Sequence, residues 1–204
     1  MRWFVSDTHF FHRNILVFCR QNFVTLDEMH KNMIGIWNSV VKPEDTVYNL
    51  GDLAFQTGSM KGEINGILAA LNGRHILVKG NHDERKKIAN FPKIEELHDA
   101  LNINIQGVDF LMSHYPYKEN MAEKDMKERP ECFTEDVNGE DGKRLPLLHG
   151  HTHELFTIRP GGLCLCWDRW HRPVSEDEVL AVFNDTNGFT ENLEKYNDLH
   201  RSVK

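Results

Sequence analysis

Apolar positions along this chain follow two different periods. Short runs at Trp3-Phe4-Val5, Thr46-Val47-Tyr48-Asn49-Leu50, His75-Ile76-Leu77-Val78-Lys79, Phe110-Leu111-Met112 and Leu145-Pro146-Leu147-Leu148 stop at glycine or turn residues, the pattern of buried strands. Between the first three runs the spacing becomes helical. Asn14 to Arg20 suits one or two helical turns, and Leu26, Met29, Met33, Trp37, Val40 and Val41 recur at helical spacing behind Thr25. Thr25 and Glu28 have the spacing of a capping box, and Lys42-Pro43-Glu44-Asp45 stops that helix. Ile64, Ile67, Leu68 and Leu71 mark another helix, closed by Asn72-Gly73.

Strand, helix, strand, helix, strand predicts an α/β sandwich. The second half departs from alternation. Gly107-Val108-Asp109 reads as a turn into the fourth strand, and Gly161-Gly162 as a hairpin joining Leu155–Ile158 to Leu163–Trp167, so the second half should be richer in antiparallel strands. Residues 118–143 are charged, poor in branched aliphatics and broken by Pro130 and Gly139. They read as a long surface loop that leaves after His114 and returns before His149, either a lid over a site or a solvated excursion. Residues 185–204 read as a polar tail, with at most a frayed helix around Glu191 to Leu199.

The length of 204 residues suits a single domain over 1–204. Cys19 and Cys132 stand alone, and Cys164-x-Cys166 puts two thiols on one face of a strand without the Cys-x-x-Cys pairs of a zinc knuckle. Free thiols in a reducing compartment are expected rather than disulfides. The formal net charge of −7 disfavours a large nucleic-acid footprint, although bound cations would offset part of it. No leader-like apolar core precedes the first strand, and no run approaches the ~20 residues of a membrane span. A cytoplasmic protein without a membrane segment is expected; composition leaves the oligomeric state open.

What each strand-like run ends in changes the picture. The five runs lead into Ser6-Asp7-Thr8-His9, Gly51-Asp52, Gly80-Asn81-His82-Asp83, Ser113-His114 and His149-Gly150-His151-Thr152-His153. Ligands collect beyond the carboxyl ends of strands in layered α/β sheets. Oxygen and imidazole groups gathered there suit a two-metal hydrolytic site, which needs a bridging carboxylate and open positions for water and substrate. Asp7 and His9, two apart, reach the same side of an extended strand end. Gly51 would leave room for ions beside Asp52. Asn81 supplies a neutral oxygen, and a splayed turn would let His151 and His153 address different ions. The absence of thiolate from this set favours Mn²⁺, Fe, Zn or Ni over copper(I) or an iron–sulfur centre, and two Mn²⁺ are the expected pair.

These motifs, in this order, resemble the calcineurin-like metallophosphoesterases, whose pattern runs Asp-x-His, Gly-Asp, Gly-Asn-His-Asp/Glu, His and Gly-His-x-His. The resemblance spans residues 7 to 153, and Ser-Asp-Thr-His-Phe-Phe-His-Arg-Asn-Ile at its start is similar to a compact bacterial and phage branch. It implies an α/β/β/α sandwich of four layers with mixed sheets and a dinuclear metal site at the strand C-terminal ends. It further implies that Asp7, His9 and His153 hold one divalent ion, that Asn81, His114 and His151 hold the other, and that Asp52 bridges them. His82 would stay unligated and act as general acid while a hydroxide shared by the ions attacks phosphorus. Asp83 would orient His82 or cap the following helix. His12 and Arg13 could reach substrate phosphate or could form a surface turn. Phosphodiesters of nucleotides or similar small molecules are the expected substrates. A DNA or RNA nuclease, which Arg85-Lys86-Lys87 would suit, and a non-catalytic interaction module are the competing readings.

Overall fold

The computed structural model describes residues 1–55, 60–83, 91–120, 134–140, 142–153 and 156–191. Strands β1 (Arg2–Val5), β2 (Thr46–Asn49), β3 (Arg74–Val78) and β4 (Ile94–His98) pair in parallel, and β10 (Val174–Ser175) adds antiparallel to the free edge of β1. A second mixed sheet runs β5 (Ala100–Ile105), β6 (Val108–Ser113), β7 (Leu147–His149), β9 (Gly162–Cys164), β8 (Ile158–Arg159).

Alternation along the strands separates two cores. Val5, Val47 and Leu77 face Met29, Met33 and Trp37 of helix α2 (Leu26–Val40) and Ile64 and Leu68 of α3 (Lys61–Ala70). Phe4, Leu50 and Val78 face the other way, onto Phe110, Met112, Leu148 and Leu163 of the second sheet. Thr25 caps α2 by accepting the Glu28 N–H at 3.2 Å, while the Glu28 carboxylate takes the Val24 N–H, one residue earlier than a capping box requires. The early apolar stretch forms only the short helix α1 (Ile15–Phe18). On the outer face of the second sheet, Leu111 and Leu147 meet Tyr117, Leu145 and Val137. Two mixed sheets packed face to face, with α2 and α3 against the first, are the mixed α/β sandwich that the sequence predicts.

Several elements were not anticipated from the sequence. Trp167–Trp170 is a helical turn, α4, rather than the end of a strand. Strands β4 and β5 form neighbouring edges of the two sheets. Helix α5 (Glu176–Asp185) carries a complete capping box between Ser175 and Glu178. Residues 186–191 after it form turns that bury Phe189, so the polar tail begins later than residue 185. The helix expected around 191–199, the core of the 118–143 loop (121–133 and 141) and Cys132 lie outside the described residues. No described helix is long and apolar enough to cross a membrane.

The two sheets are stitched together at their carboxyl ends. Ser6 N–H donates to the Leu165 carbonyl at 2.9 Å, Trp167 N–H donates to the Ser6 carbonyl at 2.8 Å, and Leu165 N–H donates to the His149 carbonyl at 2.7 Å. This seam brings the turn after β1 against the turn after β7.

Candidate metal centre

Strand ends alone do not build the site. Asp7 (φ 55°), His9 (φ 48°), Asp52 (φ 54°), His151 (φ 70°) and His153 (φ 47°) all hold left-handed backbone. That conformation costs a non-glycine residue about 1–3 kcal/mol and persists only where surrounding bonds over-determine it. Here Asp7 N–H donates to the Gly51 carbonyl at 2.9 Å, His9 N–H to the Asp52 carbonyl at 3.0 Å, and Phe10 N–H to the Leu53 carbonyl at 3.0 Å. Left-handed turns, not an extended strand end, therefore bring the Asp7 and His9 side chains together. Gly51 also differs from expectation. A Cβ there would lie 2.6 Å from His114 Nδ1 and 2.7 Å from Gly80 N, so its missing side chain makes room for protein rather than for ions.

On one flank, His9 Nε2 and His153 Nε2 stand 3.6 Å and 3.7 Å from Asp7 Oδ1. Ligand atoms ~2.1 Å from a shared ion at tetrahedral angles stand about 3.4 Å apart. Asp7 Oδ1 and His9 Nε2 are buried with no hydrogen-bond partner. Orphaned polar atoms of this kind are costly unless a ligand engages them. The other Asp7 oxygen is saturated, taking the Ser6 hydroxyl at 2.5 Å, the His151 N–H at 2.9 Å and the Cys166 thiol at 3.1 Å.

On the other flank, Asn81 Oδ1 lies 3.1 Å from His114 Nε2 and 3.1 Å from His151 Nδ1. His114 Nδ1 donates to the Leu50 carbonyl at 2.8 Å, which turns the Nε2 lone pair toward the Asn81 oxygen. Two acceptors facing each other suit a cation between them. Asp52 Oδ2 joins the flanks, at 3.6 Å from His9 Nε2 and 3.6 Å from His114 Nε2. Carboxylate, amide oxygen and imidazole nitrogen together fit divalent Mn, Fe, Zn or Ni.

Electrostatics agrees with that donor set except at His153, where burial is outweighed by Asp168, Cys19 and Asp7 and the ring is pushed up to about 11, so that ring would have to release its Nε2 proton to hold an ion. Burial opposes ionising Asp7, yet the imidazoles of His9, His114 and His153 hold its carboxyl well below the usual carboxylate range. Burial and the Asp7 charge push Asp52 up to about 8. Both carboxylates ionise together only if cations offset them. Burial lowers His9 to about 4 and His151 to about 3, leaving neutral rings with lone pairs to offer.

His82 Nε2 sits 3.9 Å from Asp52 Oδ2, with its side chain 33% exposed at the mouth of the cluster. The ring stands edge-on to His9 and Phe55, with centroids 5.4 Å and 5.3 Å away. Asp83 is buried and accepts the backbone N–H groups of Asp52 at 2.7 Å, Gly80 at 2.9 Å and Leu53 at 3.2 Å. Its contacts pin the turns that carry Asp52 and Asn81; residues 84–90, where the sequence predicts the following helix and which hold Arg85-Lys86-Lys87, lie outside the described residues. His12 Nδ1 is 3.2 Å from His9 Nδ1, and its ring stacks on Phe55 at 4.5 Å. Arg13 is exposed at the entry to α1, its carbonyl taking the Leu16 N–H at 3.3 Å.

Sequence reasoning missed the residues behind the cluster. Asp168 of α4 bonds His153 Nδ1 at 2.7 Å and Arg20 Nε at 2.7 Å. No local spacing marks either residue, because Arg20 and Asp168 are 148 positions apart.

Two mixed sheets with a carboxylate, amide and imidazole cluster at the ends of their strands define a metal-binding hydrolase. Residues 2–167 match the model of the calcineurin-like phosphoesterase superfamily domain, and the chain belongs to that superfamily, whose enzymes hydrolyse phosphoric esters. The gene 66 protein of Mycobacterium phage L5 is 30% identical to it, over 89% of this chain and 93% of the phage protein. An uncharacterised protein of Methanocaldococcus jannaschii, MJ1445, is 36% identical over 114 residues, which are 56% of this chain and 58% of that protein. The solved structure of AQ665 from Aquifex aeolicus, a protein of unknown function, superposes with a TM-score of 0.63 at 30% identity, covering 89% of this chain and 98% of that one.

Proposed function

We propose that this chain is a two-metal phosphoesterase, acting on phosphodiesters of nucleotides or similar small molecules. The observation that carries the reading is Asp52 Oδ2, equidistant at 3.6 Å from a ligand nitrogen of each flank, His9 Nε2 and His114 Nε2. Asp7, His9 and His153 would hold one ion, Asn81, His114 and His151 the other, with Asp52 shared. Divalent ions there, Mn²⁺ in our reading, would supply a water with pKa near 7 and neutralise charge on the ester oxygens.

The chain's own residues supply the rest. His82, half-buried at the mouth, gives the Nε2 proton to the leaving oxygen, a contribution worth roughly 10²–10⁴-fold. His12 accepts from His9 Nδ1–H, so that His9 Nε2 keeps its lone pair for the ion. Burial, with the charges of His82 and His153 adding to it, lowers His12 to about 4, which suits an acceptor. Asp83 fixes the backbone beneath Asp52 and Asn81. Arg13 is the exposed cation nearest in sequence to the first motif and is our candidate for contact with substrate phosphate. Free thiols at Cys19, Cys164 and Cys166 support a reducing, cytoplasmic setting.

The test is hydrolysis of bis-p-nitrophenyl phosphate, p-nitrophenyl phosphate and cyclic nucleotides by chelator-stripped protein resupplied with Mn²⁺, Ni²⁺ or Zn²⁺. Diester cleavage that depends on added metal is the expected result. Turnover of the monoester alone would overturn the substrate class, and no turnover with any metal would overturn the enzyme.

A further inference from the structure

Behind the cluster lies a buried ion pair that the chemistry above leaves unused. Arg20 and Asp168 are 3% and 3% exposed. The carboxylate takes Arg20 Nε on one oxygen at 2.7 Å and His153 Nδ1 on the other at 2.7 Å. The remaining guanidinium nitrogens donate to the backbone carbonyls of Thr8, at 2.6 Å, and Asp7. One ion pair thus ties the turn carrying Asp7 and His9 to the ring of His153, whose Nε2 faces Asp7 Oδ1 at 3.7 Å.

Cys19, His153 and Asp168 are close enough to suggest a separate cation site. Arg20 already occupies the cation's place beside Asp168, and His153 presents Nδ1 to the carboxylate, so the group reads as a clamp instead.

We propose that Asp168, locked by Arg20, is the positioning residue for His153 as a metal ligand. By accepting Nδ1–H it fixes the ring plane and leaves the Nε2 lone pair aimed at the ion position shared with Asp7 and His9. A carboxylate behind an imidazole also raises the basicity of the ligating nitrogen, and loss of such a partner typically weakens metal binding by about 10–100-fold. The inference rests on the reading of His153 as a ligand.

The test is a double-mutant cycle read by Mn²⁺ affinity, from calorimetric titration of chelator-stripped protein, and by Mn content after desalting. The proteins are wild type, Asp168→Asn, His153→Ala and the double variant. Asp168→Asn should weaken Mn²⁺ binding by about 10–100-fold in the wild-type background. In the His153→Ala background the same change should have an effect at least several-fold smaller. A merely structural Asp168 would lose affinity equally in both backgrounds, and that result, or unchanged affinity in Asp168→Asn, overturns the inference while leaving the metal centre intact. Unchanged affinity in His153→Ala overturns the ligand assignment and the inference with it. Because Asp168→Asn strands the Arg20 charge, Arg20→Met with Asp168→Leu gives a second route that removes both buried charges together. That protein should fold and still bind Mn²⁺ at least tenfold more weakly; wild-type affinity there overturns the proposal.

Discussion

Asp83 accepts the backbone N–H of Asp52 at 2.7 Å across 31 residues of sequence, and the same carboxylate oxygen takes the Gly80 N–H at 2.9 Å. A side chain that the motif places beside the proposed general acid thus holds together the two turns that carry Asp52 and Asn81. Asp83→Ala would leave three buried N–H groups without an acceptor, each worth about 1–3 kcal/mol. We predict a loss of at least ~3 kcal/mol in denaturant unfolding of the metal-free protein, together with weaker Mn²⁺ retention. Wild-type stability with a selective loss of turnover would show that Asp83 acts on His82 instead.

The proton-donor role proposed for His82 predicts a dependence on the leaving group. His82→Ala should keep its metal content and lose roughly 10²–10⁴-fold in turnover on alkyl esters. Loss on p-nitrophenyl esters, whose leaving group needs little protonation, should be much smaller. Rates on both ester types, with metal analysis of the same samples, decide this; equal losses would remove the role.

The proposed bridging role of Asp52 can be tested by removing its charge. Asp52→Asn replaces a shared anionic oxygen by a neutral amide, and metal content should fall below two ions per chain in samples that bring the wild type to saturation. Two ions retained would show that other groups join the flanks.

Two glycine substitutions should differ in sign. A Cβ on Gly80 would sit 2.2 Å from Asp52 Oδ1 and 2.5 Å from Asp52 N, so Gly80→Ala must displace Asp52 and should cost both stability and bound metal. Gly66, inside α3, has nothing within 4 Å of the same added atom. Gly66→Ala should stabilise by about 0.5–1 kcal/mol through helix propensity and a less flexible unfolded chain. Melting curves of both variants give the comparison.

His75 gives a pH dependence away from the metal cluster. Its ring is buried 5.7 Å from Trp37, and burial, with the Lys93 charge adding to it, pushes it down to about 4 from an ordinary 6.5. The folded state therefore binds fewer protons than the unfolded one between those values. Its contribution is neutral above pH 6.5 and becomes destabilising as pH falls toward 4, approaching ~3 kcal/mol. His75→Phe should flatten that part of the stability–pH curve relative to wild type in denaturant titrations with chelator present. Parallel curves would show that His75 is not the group responsible.

The acid limb also involves α5, where burial opposes the Glu178 charge but Arg172 and the Ser175 N–H and hydroxyl hold it down to about 2. That helix was legible in principle, since Ser175 and Glu178 have capping-box spacing before Val179, Leu180 and Val182. Strand β5 was legible too, with Leu101, Ile103 and Ile105 alternating. The polar residues around both segments obscured them.

By itself the sequence determined the early strand–helix order, the Thr25 cap, the hairpin at Gly161-Gly162 and the family motifs. Each is a local matter, fixed by side-chain period or by residues a few positions apart. Only the tertiary structure decided how these side chains converge, because left-handed turns at Asp7, His9 and Asp52 are stabilised by partners on other turns of the chain. It alone joined Arg20 to Asp168 and Asp83 to Asp52. Such bonds depend on distances in space between chain segments far apart in sequence, and periodicity carries no record of them.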